Sequence, residues 1–242
     1  NAGPPPLGPD ERAGMLAPLL LIPLPHLSDD PGRLHAQLLE SVQGRPRQSL
    51  GEQFDHMFDV LQRALDKQQW IERSGSSLDY LEHLIGHWPK ARFVHLVRDG
   101  RECALSMSRH PYFRVKLARL VAQDPELPVE ACLTRSVPLD RFGAYWSASL
   151  LRAETHLARL PQSQIMTLRY ENLLEQPARE LARLARFLDL QPGLDMSWIA
   201  AALSLIQPVL PKWGELPSAE RASLDRACRP GMRILQKLEA CA

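Results

Sequence analysis

Apolar positions follow the helical three-and-four rhythm over most of the chain, interrupted by three short runs that read as strands. Residues 34–42 and 50–65 carry the helical repeat, with Phe54, Met57, Phe58 and Leu61 spaced for one buried face. The first interruption, residues 69–73 (QWIER), is short and apolar enough for a strand; Ser74-Gly75-Ser76-Ser77 follows as a turn with capping hydroxyls, and a helix over 78–88 ends before Pro89. The second, residues 92–98, is nearly continuous in Phe93, Val94, Leu96 and Val97, as expected of a parallel strand covered on both faces. Asp99-Gly100 breaks it and opens a helix. Helical spacing continues over 115–121, residues 124–138 read as loop, and 139–160 form a long amphipathic helix carrying Tyr145 and Trp146. The third run, residues 165–169 (IMTLR), leads through Tyr170-Glu171 into a helix over 177–188 opened by Pro177. Residues 198–238 read as helices around a loop at 208–213.

Strand and helix alternating three times predict an α/β fold with a small parallel sheet flanked by helices. Such a sheet collects its strands' carboxyl ends at one edge, where helix N-termini gather with unpaired N–H donors and ligands bind. The three ends hold Arg73 with Ser74, Arg98 with Ser106, and Arg169 with Tyr170. Ser106 lies about two turns into the helix after Arg98, at ~3.6 residues per turn, so both side chains can close on one phosphate. Arginines gathered there suit a polyanionic ligand such as a nucleotide phosphate or a sulfonate, because guanidinium bonds oxyanions in bidentate fashion. Taken alone, Arg98 also suits a strand-end ion pair with a helix acid, Arg73 a surface pair with Glu72 or Glu82, Tyr170 a core ring, and Lys212 an exposed loop cation.

Composition narrows the ligand and the setting. Lys and Arg total 29 against 28 Asp and Glu, so a net charge of +1 offers no global pull on nucleic acid or membrane, and any anion site is local. Cys103, Cys132, Cys228 and Cys241 show no metal-ligand spacing with histidine, which argues against zinc and against a disulfide scaffold and points to a reducing cytoplasm. The apolar stretch from Met15 to Leu24 is cut by Pro18 and Pro23 and falls short of the ~20 residues of a membrane span. With 45% hydrophobic residues, 242 residues suffice for one domain, 1–242, with residues 1–14 as a flexible lead-in. His83, His87, His95 and His110 lack metal-ligand grouping, and Trp70, Trp88, Trp146 and Trp198 read as packing residues.

At these residues the chain resembles the sulfotransferases that use 3′-phosphoadenosine-5′-phosphosulfate (PAPS). WIERSGSS resembles the strand-loop with that family's catalytic basic residue, Arg73 standing where lysine is usual. HWPKARFVHLVRDGRECALSMSRH resembles the 3′-phosphate-binding segment, with Arg98 and Ser106 at its arginine and serine. LRYENLLEQPARELARLARFLDL is similar to a downstream block that would bring Tyr170 near the nucleotide, and PVLPKWGELP resembles a late basic-aromatic loop, as in the tyrosylprotein-type branch, that closes over the cofactor with Lys212. The ordered blocks span roughly residues 69–217. The glycine-rich loop of the P-R-S-G-T-T type is not found; Arg45-Pro46-Arg47-Gln48-Ser49 is the nearest text. With Asn1 as first residue, this implies a P-loop-NTPase-like three-layer fold that is incomplete at its N-terminus.

The resemblance implies an enzyme moving a sulfuryl group from PAPS, without a metal, to a hydroxyl or amine of a small-molecule or peptide acceptor. Arg73 would stabilise the bridging oxygen and leaving phosphate, Arg98 and Ser106 would anchor the 3′-phosphate, and Arg109 or His110, one turn past Ser106, would add a contact. No residue carries over as general base; Glu52, Asp55 and His56 have only their chemistry to recommend them. A non-catalytic nucleotide-binding module of the same fold is the alternative, and a nucleotide kinase-like protein is weakened because GxxxxGK[ST] is missing. Acceptor and oligomeric state stay open.

Overall fold

The computed structural model describes residues 23–75, 77–190, 197–207 and 210–240. The chain divides into two compact units, Asn1–Ser74 and Gly75–Ala242.

In the first unit a short helix, α1 (Leu24–Leu27), precedes α2 (Pro31–Val42) and α3 (Leu50–Ala64). Local chemistry starts each longer helix: the Asp30 side chain accepts from Arg33 N with Pro31 behind it, and Ser49 and Glu52 close a reciprocal capping box. Leu24, Leu34 and Leu38 are buried against Met57, Val60, Leu61 and Leu65. Phe58 is buried, but Phe54 is 38% exposed, so the aromatic stripe is only partly covered. The expected strand at 69–73 does not form. Trp70 stacks on Phe58 at 4.0 Å while Ile71 is 78% exposed, so one ring anchors the segment and no strand ladder holds the rest.

The second unit is built on two strands. β1 (Phe93–Val97) and β2 (Ile165–Arg169) pair in parallel, with Phe93 opposite Ile165 and Val97 opposite Arg169. Before β1 come a 3₁₀ turn (Ser77–Tyr80) and α4 (Leu81–His87), the expected helix with its first turn tightened. Between the strands lie α5 (Gly100–Arg109), α6 (Pro111–Ala122), α7 (Val129–Thr134) and α8 (Leu139–Leu157). After β2 follow α9 (Tyr170–Glu175), α10 (Pro177–Phe187), α11 (Ser197–Leu205), a 3₁₀ turn (Trp213–Glu215) and α12 (Ser218–Ala240). Thus α7 replaces part of the loop expected at 124–138; its Cys132 is fully buried, and that burial stabilises a helix too short to persist alone. No helix among the described residues is long and apolar enough to cross a membrane.

Side chains of α5, α6, α8 and α12 form the core, with Ala104, Leu117, Phe142, Leu224 and Cys228 at its centre. Pro230 lies inside α12, where its ring removes one helical N–H bond. Ser147 of α8 enters the ladder there: its hydroxyl donates to Ala227 O (2.8 Å) and accepts from Gly231 N (3.3 Å). The turn after Gly75 is fixed by Asp79, which accepts from Lys116 (2.5 Å), Tyr145 (2.7 Å) and Arg152 (2.9 Å). Burial alone would raise the Asp79 carboxyl; the bonds from Lys116, Tyr145 and Arg152 outweigh it and hold the group below the ordinary carboxylate range.

β1 is covered on one face only, which corrects the expectation of two covered faces: His95 and Val97 are buried while Leu96 is 55% exposed. His95 therefore faces the core, where both ring nitrogens lack a partner and burial lowers its pKa to about 4. A folded-state pKa below the unfolded 6.5 means that the unfolded chain binds the proton more readily, so stability is lost as pH falls from about 6.5 toward 4, by up to about 3 kcal/mol. His95→Leu is expected to flatten that part of the profile without loss of stability at pH 7, as urea midpoints of the two proteins at pH 7 and 4.5 will show.

Candidate functional site

The register of the sheet assembles the strand ends. Because Val97 stands opposite Arg169, the next residues, Arg98 and Tyr170, emerge side by side, and the Arg98 guanidinium lies over the Tyr170 ring at 4.6 Å from its centroid. Glu171 ties the two ends together: one carboxylate oxygen accepts from Asp99 N (2.9 Å) and the other from Arg169 Nε (3.0 Å).

Asp99 is the N-cap of α5, accepting from Arg101 N at 2.8 Å. Its carboxylate also takes the Arg101 guanidinium at 3.0 and 2.5 Å, and these bonds outweigh burial and hold it below the ordinary carboxylate range. Arg101 in turn covers the Trp213 ring at 3.9 Å. At the third helical position a glutamate commonly folds back to the N-cap N–H, but Glu171 already fills that role. Glu102 instead accepts from Lys212 N (2.6 Å) and Trp213 N (2.8 Å), and its other oxygen lies 3.5 Å from Arg98 Nη2. Arg98 thus makes the ion pair with a helix acid that its position suits, while its side chain stays 26% exposed and open to a ligand.

Ser106 is exposed on α5 one turn beyond Glu102, and Arg109 is exposed a further turn on, so Glu102, Ser106 and Arg109 fall on one helix stripe that begins beside Arg98. Lys212 is exposed, held by its backbone through Glu102. Of the residues singled out from sequence, Arg98 touches Tyr170 and Glu102, Lys212 reaches Glu102 through its backbone N–H, and Ser106 and Arg109 lie further along the helix of Glu102. Arg73, also exposed, belongs to the first unit. Burial pushes the Cys103 thiol up to about 12, against the pull of the Arg98 charge, which disfavours a thiolate beside the strand end. A cavity of about 810 Å³ lined by His95, Leu150, Met166, Phe187 and Ile234 lies back from the strand ends and takes no part in this arrangement.

Sequence reading passed over Glu102 and Arg101, which hold the loop, and Asp99, which holds Arg101. Their local signal is the run DGRE after an apolar strand, which marks a cap and an acid at the third helical position; the loop partner lies 110 residues away.

The profile of the Sulfotransferase family matches residues 34–193. The chain belongs to the sulfotransferase family. A solved sulfotransferase domain from the curacin biosynthetic pathway is similar over 89% of this chain and 76% of its own, at 17% identity and a TM-score of 0.49. No curated protein matches the chain. At the carboxyl ends of the two parallel strands the Arg98 cation and the Tyr170 ring stand together, with chemistry suited to an oxyanion. Among the described residues no group of histidine, cysteine and carboxylates could hold a metal ion.

Proposed function

We propose that this sulfotransferase moves a sulfuryl group from PAPS to a hydroxyl or amine of a small-molecule or peptide acceptor, with Arg98 and Ser106 on the 3′-phosphate. The observation that carries the reading is the Arg98 guanidinium, partly open at the strand end, stacked on Tyr170 and followed by exposed Ser106 on the adjacent helix. The donor set fits the 3′-phosphate end of the nucleotide. Guanidinium offers a planar fork of N–H donors, Ser106 a hydroxyl, and Arg109 a second cation at the end of α5. Lys212 and Trp213, on a turn tied to Glu102, lie next to the same helix and suit a contact to phosphate and base.

PAPS, when bound, supplies the sulfuryl group and the leaving phosphate. Sulfuryl transfer builds negative charge on that phosphate, so a fixed cation near its bridging oxygen lowers the barrier. Arg73 is our candidate for that task, on the resemblance of its segment to the family's strand-loop; a guanidinium acts there as an electrostatic partner and not as a proton donor.

Titration calorimetry with 3′,5′-bisphosphoadenosine and with AMP tests the nucleotide assignment. The bisphosphate is expected to bind at least about tenfold more tightly, equivalent to ~1.4 kcal/mol; equal affinities would remove Arg98 and Ser106 from the site. Release of 3′,5′-bisphosphoadenosine from PAPS that depends on an added hydroxyl or amine tests transfer. Tight nucleotide binding without such release across an acceptor panel would point instead to the non-catalytic module.

A further inference from the structure

Glu102 is 8% exposed, and both of its carboxylate oxygens are occupied. A buried carboxylate needs such partners, because an uncompensated charge away from water is costly. The partners are informative. The 3₁₀ turn Trp213–Glu215 has no side-chain cap of its own, since its N-cap residue is Lys212. One oxygen of Glu102 supplies that cap from another helix by accepting both the Lys212 and Trp213 N–H groups. Arg101, the preceding residue, adds its guanidinium over the Trp213 ring. The second oxygen faces Arg98 at 3.5 Å.

We propose that Glu102 is an affinity-tempering positioning residue of the nucleotide site: it caps the Lys212–Trp213 turn with one oxygen and occupies Arg98 with the other, so that a 3′-phosphate must compete with the carboxylate for the guanidinium. The inference rests on the assignment of Arg98 to the 3′-phosphate. A nucleotide with a free 3′-hydroxyl leaves Arg98 with Glu102 and gains nothing from it. A 3′-phosphate engages Arg98 with greater charge but meets the carboxylate across the same guanidinium, which limits affinity and favours release of the spent nucleotide.

Two variants separate the two oxygens. In Glu102→Gln the amide oxygen still accepts from both N–H groups while the charge facing Arg98 is gone, so 3′,5′-bisphosphoadenosine is expected to bind about tenfold more tightly than to wild type, with AMP unchanged. In Glu102→Ala the cap is lost as well; bisphosphate affinity is expected to fall below wild type, and tryptic cleavage after Lys212, followed without ligand, to accelerate in this variant but not in Glu102→Gln. Should the Gln variant not fold, Glu102→Asp keeps the charge but is one methylene shorter, and faster cleavage after Lys212 with no gain in bisphosphate affinity is expected of it.

If wild type prefers the bisphosphate to AMP but Glu102→Gln binds it no better, the inference is overturned and the Arg98 assignment stands. Cleavage after Lys212 at wild-type rate in the folded Ala or Asp variant also overturns it. If wild type does not distinguish bisphosphate from AMP, the Arg98 assignment itself fails and the inference falls with it.

Discussion

Replacing Arg98 with alanine is expected to abolish the preference for 3′,5′-bisphosphoadenosine over AMP, lowering affinity for the bisphosphate about 100-fold while AMP binding changes little. The size follows from charge-assisted hydrogen bonds, each contributing about 1.5–3 kcal/mol, lost from a guanidinium that meets the phosphate two-pronged. The protein itself should survive the change. Arg98 is 26% exposed, and Glu102 keeps its two backbone partners at 2.6 and 2.8 Å. Arg98→Lys is expected to recover only part of the preference, because an ammonium supplies charge without the planar fork. Calorimetry on the three proteins decides it; retention of the preference in the alanine variant would show that the 3′-phosphate is held elsewhere.

The second large effect is on stability. A single methyl at Gly100 would stand 2.3 Å from ring carbons of Trp146, and one at Gly231 would stand 2.4 Å from the other side's nearest ring carbon. The indole is therefore clamped between the first residue of α5 and the middle of α12, against backbone that only glycine leaves bare. Trp146 is a rigid, partly buried ring packed against the core and cannot bend aside as a flexible chain end would. Gly100→Ala is expected to destabilise by roughly 3 kcal/mol, lowering the thermal midpoint by on the order of 10 °C in a chain of this size. Trp146→Leu in the same molecule should return part of that loss, a non-additive pair that identifies the clash as the cause. Calorimetric scans of the single and double variants give the answer, and a midpoint within a degree of wild type for Gly100→Ala would contradict the packing. Since Gly100 follows Arg98-Asp99 directly, the destabilised protein is also expected to bind nucleotide less tightly.

Much of this site is legible in residue order. An apolar run, a charged end, Asp99-Gly100 and a polar helix start announce β1, Arg98 and α5 with bounds close to those observed, and the proline-led helix over 177–187 follows from the fixed backbone angle of that residue. Such features are local: periodicity, caps and turn chemistry act over a handful of neighbours. The same reasoning misjudged residues 69–73, because a strand needs a partner and local apolarity cannot guarantee one, and it gave β1 two covered faces when only the face of His95 and Val97 is buried.

Residue order thus carried the strand–breaker–helix unit that delivers Arg98 and Ser106, and the family to which the chain belongs. Folding in three dimensions added the rest: the register that sets Arg98 beside Tyr170, the Glu102 carboxylate that holds a loop 110 residues away, and the Trp146 ring pressed between two glycines. These depend on side chains distant in the chain arriving at matched distance and charge. No short-range pattern encodes that match, since each partner alone is an ordinary glutamate, glycine or tyrosine.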